Sequence, residues 1–192
     1  MTLPDWDHRG VLPPFFGEPT GTTGRSPSSV KLRDLVQRFG VSPERRRILQ
    51  GLLDYRAALH AIGITSGFQW VDGSFAEYVE GLEQRPPNDV DVVTFFEIPA
   101  GENQGTLARN HGNLFQPSQV KQRFRVDGYP VPWDGSDCAA MLERAIYWYS
   151  LWSHRRDLSW KGFVQIPLDP DEADAQGFLD RLGAPAGEEG EG

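Results

Sequence analysis

The sequence predicts an α/β (α+β) fold in which a small mixed β-sheet is flanked by helices. Apolar residues recur at helical spacing in several stretches, and short aromatic and β-branched runs between Gly or Pro turns indicate strands. The order is helix, helix, strand, helix, strand, helix, strand, helix, which is typical of an α/β arrangement. At 192 residues the chain suits one domain with a buried core.

The N-terminal part of the chain predicts an irregular lead-in followed by a first helix. Residues 1–29 form this lead-in, and residues 12–29 are rich in Pro, Gly, Thr and Ser, a composition typical of irregular structure. Ser28 or Ser29 is the expected cap of a helix whose apolar positions lie at helical spacing within residues 32–39. Gly40 then ends this helix.

A longer second helix is predicted to begin at Ser42 and Pro43, because Ser is a favoured N-cap and Pro a favoured first-turn residue. Gly63 closes it. Between these limits, apolar residues recur in steps of three and four: Ile48, Leu52, Tyr55, Leu59 and Ile62. The stripe indicates an amphipathic helix with one buried face.

Two strands and the turn between them form the middle of the chain. Residues 68–72 are aromatic and β-branched and predict a strand that runs directly into Gly73-Ser74. A helix is expected from Phe75 to about Leu82, and a Pro-rich turn then leads to a second strand at residues 89–96. The predicted unit is therefore strand, turn, helix, strand.

The next part of the chain contains weaker signals and one clear helix. Residues 99–113 are predicted to form a loop or a weak helix, and a short helix begins at Pro117. A third strand is predicted at residues 124–131, where Pro130 favours an edge strand or the end of a strand. A helix at residues 139–154 is expected to bury six side chains: Met141, Leu142, Ala145, Trp148, Tyr149 and Trp152.

The domain organisation follows from these elements. A last strand is predicted at residues 162–168 and a short helix at residues 170–182. The lead-in is thus followed by a single domain at residues 30–182. Residues 183–192 are Gly-rich and acidic and are expected to form a disordered tail.

The composition is that of a soluble protein of the cytoplasm. The single cysteine, Cys138, excludes an internal disulfide framework and is expected to be a small buried side chain. No signal peptide is visible, and no apolar run approaches the roughly 20 residues that span a bilayer, so no membrane partner is expected. The net charge of −8 argues against long-range binding to nucleic acid, which depends on Lys and Arg.

Two aspartates at the start of the second strand form the strongest functional signal. Asp89 and Asp91 lie two residues apart, so both side chains point to the same face of an apolar strand. Burying either as an unpaired anion is costly, whereas Mg²⁺ or Mn²⁺ favours such oxygen ligands. Asp127 in the third strand is the expected third ligand. A surface position is the alternative for each of these acids.

Gly73-Ser74 predicts a phosphate-binding turn at the N-terminus of a helix. Free backbone N–H groups and the helix dipole favour a phosphate there. Gly allows close approach of the backbone, and the Ser hydroxyl adds a donor. The turn and the acid pair lie within one short unit, and together they predict a site for phosphate and metal.

These residues resemble the signature of the DNA polymerase β-like nucleotidyltransferase superfamily. In that superfamily a Gly-Ser turn is followed by Asp-x-Asp on the next strand and a third acid on a later one, as at residues 71–74, 88–93 and 127 here. The stretch between the turn and the acid pair is longer than in many members. The chain is also similar to an uncharacterised bacterial nucleotidyltransferase-like group, a domain of unknown function. That similarity rests on four segments: Leu12-Pro13-Pro14, Val126-Asp127-Gly128-Tyr129, Arg155-Arg156-Asp157 and Lys161-Gly162.

The resemblance implies a nucleotidyltransferase-like core and an enzyme that transfers a nucleoside monophosphate. Asp89, Asp91 and Asp127 would be catalytic and hold Mg²⁺ or Mn²⁺, with Asp127 helping to deprotonate the nucleophile. Gly73 and Ser74 would bind the β- and γ-phosphates of a nucleoside triphosphate, with ATP expected. An acceptor hydroxyl on a protein, an RNA end or a small molecule would attack the α-phosphorus. The small core is similar to the nucleotidyltransferases of bacterial toxin–antitoxin and defence modules, which often act on a partner.

Two other functions are left open by the residues. One is a catalytically silent protein of the same fold that binds nucleotide or a partner and regulates it. An acid cluster argues against this function, because a binding module does not need repelling carboxylates. The other is a metal-dependent phosphohydrolase that uses the same acids, which would explain the Gly-Ser turn less well.

Three groups of charged residues lie near these motifs. One cation next to Asp127 is expected to balance its charge or contact phosphate: Lys121, Arg123 or Arg125. The cations after the predicted helix at residues 139–154 are expected to reach a triphosphate or an acidic partner, or to complement the helix dipole: Arg155, Arg156 and Lys161. The remaining groups are expected to be solvated: Arg45-Arg46-Arg47, Glu77 and Glu80.

Overall fold

A five-stranded mixed sheet runs through the protein and confirms the predicted α/β (α+β) class. The computed structural model describes residues 3–18, 20–21 and 23–184. In chain order the strands are β1 (Ser28–Ser29), β2 (Gly67–Asp72), β3 (Val90–Glu97), β4 (Val126–Trp133) and β5 (Val164–Pro167). Across the sheet their order is β1-β5-β2-β3-β4.

Helices lie on both faces of this sheet. They are α1 (Leu32–Phe39), α2 (Pro43–Ala61), α3 (Val79–Leu82), α4 (Gln104–His111), α5 (Pro117–Phe124), α6 (Cys138–Trp152) and α7 (Glu172–Gly183). Within the described ranges, none of them combines the length and the apolar character needed to cross a membrane. The predicted disordered tail begins at Gly183, which belongs to α7, and residues 185–192 lie outside the described part of the chain.

Three strand termini lie side by side at one end of the sheet. β2 is antiparallel to β3, and β3 is parallel to β4. The last residue of β2 therefore lies beside the first residues of β3 and β4. Pro130 lies in β4, which is the edge strand as predicted, because a proline there removes no hydrogen bond from the interior of the sheet.

Apolar side chains bury both faces of β2 and β3. On one face, Val71 and Val92 join the main apolar cluster beneath α1, α2, α5 and α7. On the other face, Trp70 and Val93 form a second cluster with Trp152 of α6. Side chains alternate between the faces along each strand, so neighbouring residues of β2 and β3 belong to different clusters.

The N-terminal lead-in contributes to the same core. Leu3 and Leu12 are buried in the main apolar cluster. Ser28 and Ser29 do not cap α1 as predicted but form strand β1, which pairs with β5. The Ser28 N–H donates to the Phe163 carbonyl, so the segment completes the sheet before the first helix begins.

The predicted burial of α6 is right for one stripe of the helix and wrong beside it. Leu142 is 61% exposed and lies beside the stripe that faces the sheet. Tyr149 is 38% exposed, although its ring contacts Trp70 and Phe163. Cys138, expected to be buried, is exposed at the start of the helix. Four of the six predicted side chains pack against the second apolar cluster: Met141, Ala145, Trp148 and Trp152.

The continuous helix predicted at residues 75–82 is wrong. A 3₁₀ turn and the single turn of α3 take its place. The carbonyl groups of residues 75–77 accept hydrogen bonds from the Arg45 guanidinium and the Trp6 indole, at 2.6 to 2.7 Å, instead of from helical N–H groups. Arg45 is fully buried and also pairs with Glu80, so the expectation that both are solvated is wrong as well. Arg45 thereby fixes the segment that follows Gly73-Ser74.

Candidate active site

Four aspartates lie together at the end of the sheet where β2 ends and β3 and β4 begin. Asp72 is the cross-strand partner of Asp91, and Asp91 is the partner of Asp127, so three acids lie in register on adjacent strands. Asp89 immediately precedes β3, and all four line one cleft of about 890 Å³. The structure thus brings the three predicted acids together and adds Asp72, to which the sequence assigned no role.

Gly73 and Ser74 line the same cleft directly after β2. Gly73 has φ of +79°, and a Cβ atom at this position would overlap Oδ2 of Asp91. This close approach and the backbone conformation both require glycine. Ser74 begins a 3₁₀ turn of three residues, so the predicted α-helical dipole at this position is wrong. The Ser74 hydroxyl and the backbone of the turn are the donors available on this wall.

Replacing Gly73 with alanine is expected to lower the free energy of unfolding by about 2 kcal/mol or more, through both backbone strain and displacement of Asp91. Gly101→Ala is the matched control, since Gly101 has φ of +86° and nothing within 4 Å of an added Cβ. That control should lose only about 1 kcal/mol. Urea unfolding measures both losses. Equal losses would mean that the Asp91 carboxylate moves aside without cost.

Asp91 lies at the centre of the acid row, and its environment disfavours the charged form. Burial raises the pKa of Asp91 to about 6, and the neighbouring carboxylates of Asp89 and Asp127 add to the shift. The ammonium groups of Lys121 and Lys161 oppose it. A carboxylate held among like charges is stabilised by any cation that enters the cleft.

Lys121 of α5 bridges two of these acids. Its Nζ lies 2.7 Å from Oδ2 of Asp89 and 3.2 Å from Oδ2 of Asp127. These contacts raise the pKa of the Lys121 ammonium, with the hydrogen bond to Asp89 as the largest cause. Of the cations predicted to balance Asp127, Lys121 is the one that does so. Its side chain is 48% exposed, so it reaches the acids from the solvent side.

Beneath the Gly-Ser turn lies a buried ionic cluster that the sequence did not predict. Lys161 Nζ donates to both carboxylate oxygens of Asp72, at 2.7 and 2.8 Å, and lies 3.2 Å from Glu77. Burial raises the pKa of Asp72 to about 7, although the Lys161 ammonium opposes the shift. Glu77 is buried, so its predicted solvation is wrong. No local sequence pattern links Lys161 to Asp72, because they are 89 residues apart.

The segment after α6 also lines the cleft. Arg155 pairs with Glu77 at 3.2 Å and lies 3.7 Å from Glu83, so its charge is directed to carboxylates and not to the end of the helix. Arg156 is exposed and lines the same cleft. Among the described residues Arg156 has no ion-pair partner, so its guanidinium is available to an anionic ligand.

The acids supply the oxygen ligands that a divalent ion favours, and Lys121 contacts two of the oxygens that such an ion would use. Asp89, Asp91 and Asp127 supply hard oxygen donors, the kind that Mg²⁺ and Mn²⁺ favour. The repulsion felt by Asp91 is what a divalent cation would relieve. In the present arrangement of the described residues, no group of three or more His, Cys, Asp or Glu side chains is placed to hold a metal ion.

The chain matches a family model but no curated protein or solved structure. A family model described as a family of unknown function (DUF6932) matches residues 4–167. The matched range covers most of the chain and includes every residue that lines the cleft.

Proposed function

The chain belongs to the family of unknown function DUF6932, and from its cleft we propose that it is a metal-dependent nucleotidyltransferase of the cytoplasm. One observation carries the proposal: Asp91 and Asp127 are in register on β3 and β4, with Asp89 and the Gly73-Ser74 turn in the same cleft. The enzyme would transfer a nucleoside monophosphate, with ATP as the expected donor. The acceptor would be a hydroxyl on a protein, an RNA end or a small molecule, in keeping with a toxin–antitoxin or defence role.

In the proposed reaction, each group of residues that lines the cleft has a separate role. The acceptor oxygen bonds to the α-phosphorus, the bond from that phosphorus to the β-phosphate oxygen breaks, and pyrophosphate leaves. Asp127 accepts the proton of the acceptor hydroxyl. The Ser74 hydroxyl donates to the β- or γ-phosphate, and Gly73 lets the backbone approach it. Mg²⁺ or Mn²⁺ held by Asp89, Asp91 and Asp127 would neutralise charge on the attacking and leaving oxygens.

Arg156, which lines the same cleft, supports this proposal. It is the cleft cation without an ion pair among the described residues, while Lys121, Lys161 and Arg155 are each paired with carboxylates. A guanidinium matches the geometry of a phosphate and presents several donors to it. A triphosphate in this cleft would therefore meet donors from both Ser74 and Arg156.

A second candidate is a catalytically silent protein of the same fold that binds nucleotide or a partner and regulates it. One observation favours it. Lys121 bridges Asp89 and Asp127, and Lys161 neutralises Asp72, so the chain's own ammonium groups balance much of the acid cluster. Such an arrangement is stable without a metal ion.

Transfer of label from nucleotide distinguishes the two candidates. The purified protein is incubated with Mg²⁺ or Mn²⁺ and each α-labelled nucleoside triphosphate, with protein, tRNA and small-molecule acceptors. Asp127→Asn is expected to reduce transfer by at least about 100-fold. Asp54→Asn is the matched control, because Asp54 is an exposed residue of α2 outside the cleft.

Each outcome supports one function. Label in an acceptor with release of pyrophosphate, lost in Asp127→Asn and kept in Asp54→Asn, supports the nucleotidyltransferase. Nucleotide that binds without transfer of label supports the silent regulatory protein. Release of inorganic phosphate from γ-labelled nucleotide would instead indicate a phosphohydrolase and would contradict both.

A further inference from the structure

Lys121 contacts two of the carboxylates that the proposed function assigns to metal binding. We propose that Lys121 is an internal counter-cation of the acid cluster, which a divalent ion must displace before it binds. The inference rests on the proposed function, because it treats Asp89 and Asp127 as metal ligands. It makes Lys121 a positioning residue that sets the affinity of the acid cluster for a metal ion.

The contacts of Lys121 make its ammonium and a divalent ion mutually exclusive. One Nζ atom lies within hydrogen-bond distance of oxygens from both Asp89 and Asp127. An ion bound between these carboxylates would use the same oxygens, and its charge would repel the ammonium at contact distance. The ammonium also keeps the two carboxylates close together before any ion arrives.

Displacement of Lys121 is feasible because its ion pairs are on the solvent side. The side chain is 48% exposed and lies in the last turn of α5, with a flexible four-carbon stem. Ion pairs at such exposure contribute little to stability, so breaking them costs little. Lys161 differs in this respect: its side chain is 5% exposed and is enclosed by Asp72 and Glu77.

The released ammonium shares the cleft with an anionic partner when nucleotide is bound. Lys121 lines the same cleft as Gly73 and Ser74, where the phosphates of the nucleotide are proposed to bind. An anionic phosphate there would attract the ammonium away from the carboxylates. Nucleotide is thus expected to strengthen metal binding more in the wild type than in a variant without Lys121.

Binding of Mn²⁺ to the full chain without nucleotide tests the inference directly. Free Mn²⁺ is measured by its electron paramagnetic resonance signal. Lys121→Met is expected to bind Mn²⁺ at least about fivefold more tightly than the wild type, because two ion pairs no longer compete. Lys31→Met is the matched control, since Lys31 is an exposed lysine outside the cleft. Lys121→Arg, which keeps the charge, should bind Mn²⁺ much as the wild type does.

Thermal unfolding provides a readout that does not depend on catalysis. Without metal, Lys121→Met should melt at a lower temperature than the wild type, because the acids lose their counter-cation. Addition of saturating Mn²⁺ should raise the melting temperature of Lys121→Met by more than it raises that of the wild type, because the variant binds Mn²⁺ more tightly.

The contrary results separate failure of this inference from failure of the proposed function. Equal Mn²⁺ affinity in Lys121→Met and the wild type, with binding lost in Asp91→Asn, would overturn the role of Lys121 and leave the proposed function intact. Weaker binding in Lys121→Met would also overturn it, because Lys121 would then be a support for the ligands and not a competitor. Absence of Mn²⁺ binding in every variant would overturn both.

Discussion

Lys161→Met is expected to lower the free energy of unfolding by about 3 kcal/mol or more, because it leaves Asp72 as a buried carboxylate without its partner. Lys161 and Asp72 are 4% and 2% exposed, so water does not replace the lost ammonium. Glu77 loses one of its two cations at the same time and keeps Arg155. Urea unfolding at pH 7.5 measures the loss.

The double variant Lys161→Met/Asp72→Asn identifies the cause of this loss. If the cost arises from the uncompensated charge of Asp72, the double variant should be more stable than Lys161→Met alone. Lys31→Met controls for the loss of one positive charge and should change stability by less than about 0.5 kcal/mol. A Lys161→Met variant as stable as Lys31→Met would mean that Asp72 does not need a cation and is held in its neutral form.

The strands of the sheet were predictable because their signals are local. The apolar runs at residues 68–72 and 89–96 lie between Gly and Pro turns, and the structure has β2 and β3 there. The helix expected at residues 75–82 had similar local support and is not formed. Its carbonyl groups are taken by Arg45 and Trp6, which are distant in sequence, so no local pattern could have excluded the helix.

The same distinction applies to the cleft. Asp89 and Asp91 could be assigned to one face from their spacing alone, and Asp127 could be assigned to a neighbouring strand. Their exact neighbours depend on strand register, which places Asp72 beside Asp91. The pairing of Lys161 with Asp72 depends on the chain returning to the cleft after α6, and periodicity carries no information about it.

The buried acids also explain why Gly73 is needed where it lies. The Asp91 carboxylate packs against the Gly73 backbone, and Asp72 accepts the Gly73 N–H. The turn therefore links the buried pair of Asp72 and Lys161 to the acids that line the cleft. A change in the buried pair is expected to move the Gly-Ser turn as well as to reduce stability.

Asp91→Asn is expected to reduce nucleotidyl transfer by at least about 100-fold and, at neutral pH, to stabilise the fold. The transfer is lost because an amide is a poor ligand for Mg²⁺ compared with a carboxylate. The fold is stabilised because the pKa of Asp91 is raised from 3.8 to about 6, so ionising this carboxyl is harder in the folded chain than in the unfolded one. Asparagine has a similar shape and no charge.

The pH dependence of this gain follows from the direction of the shift. A raised pKa gives stability that is fully present below the unfolded value and is lost as pH rises through the folded value of about 6. The wild type thus loses stability relative to Asp91→Asn between about pH 4 and pH 6. Above that range the variant should be more stable by roughly 2–3 kcal/mol, and near pH 4 the two should be equal.

Urea unfolding of both proteins at a series of pH values measures the difference, with Asp54→Asn as an exposed control that should show no such trend. A variant less stable than the wild type at pH 8 would mean that a structural partner holds the Asp91 carboxylate. A gain in stability together with a loss of transfer would mean that the fold does not need the Asp91 carboxylate, whereas the reaction does. The fold would then retain a destabilising charge that serves the reaction, since a residue kept only for structure would not weaken the protein that contains it.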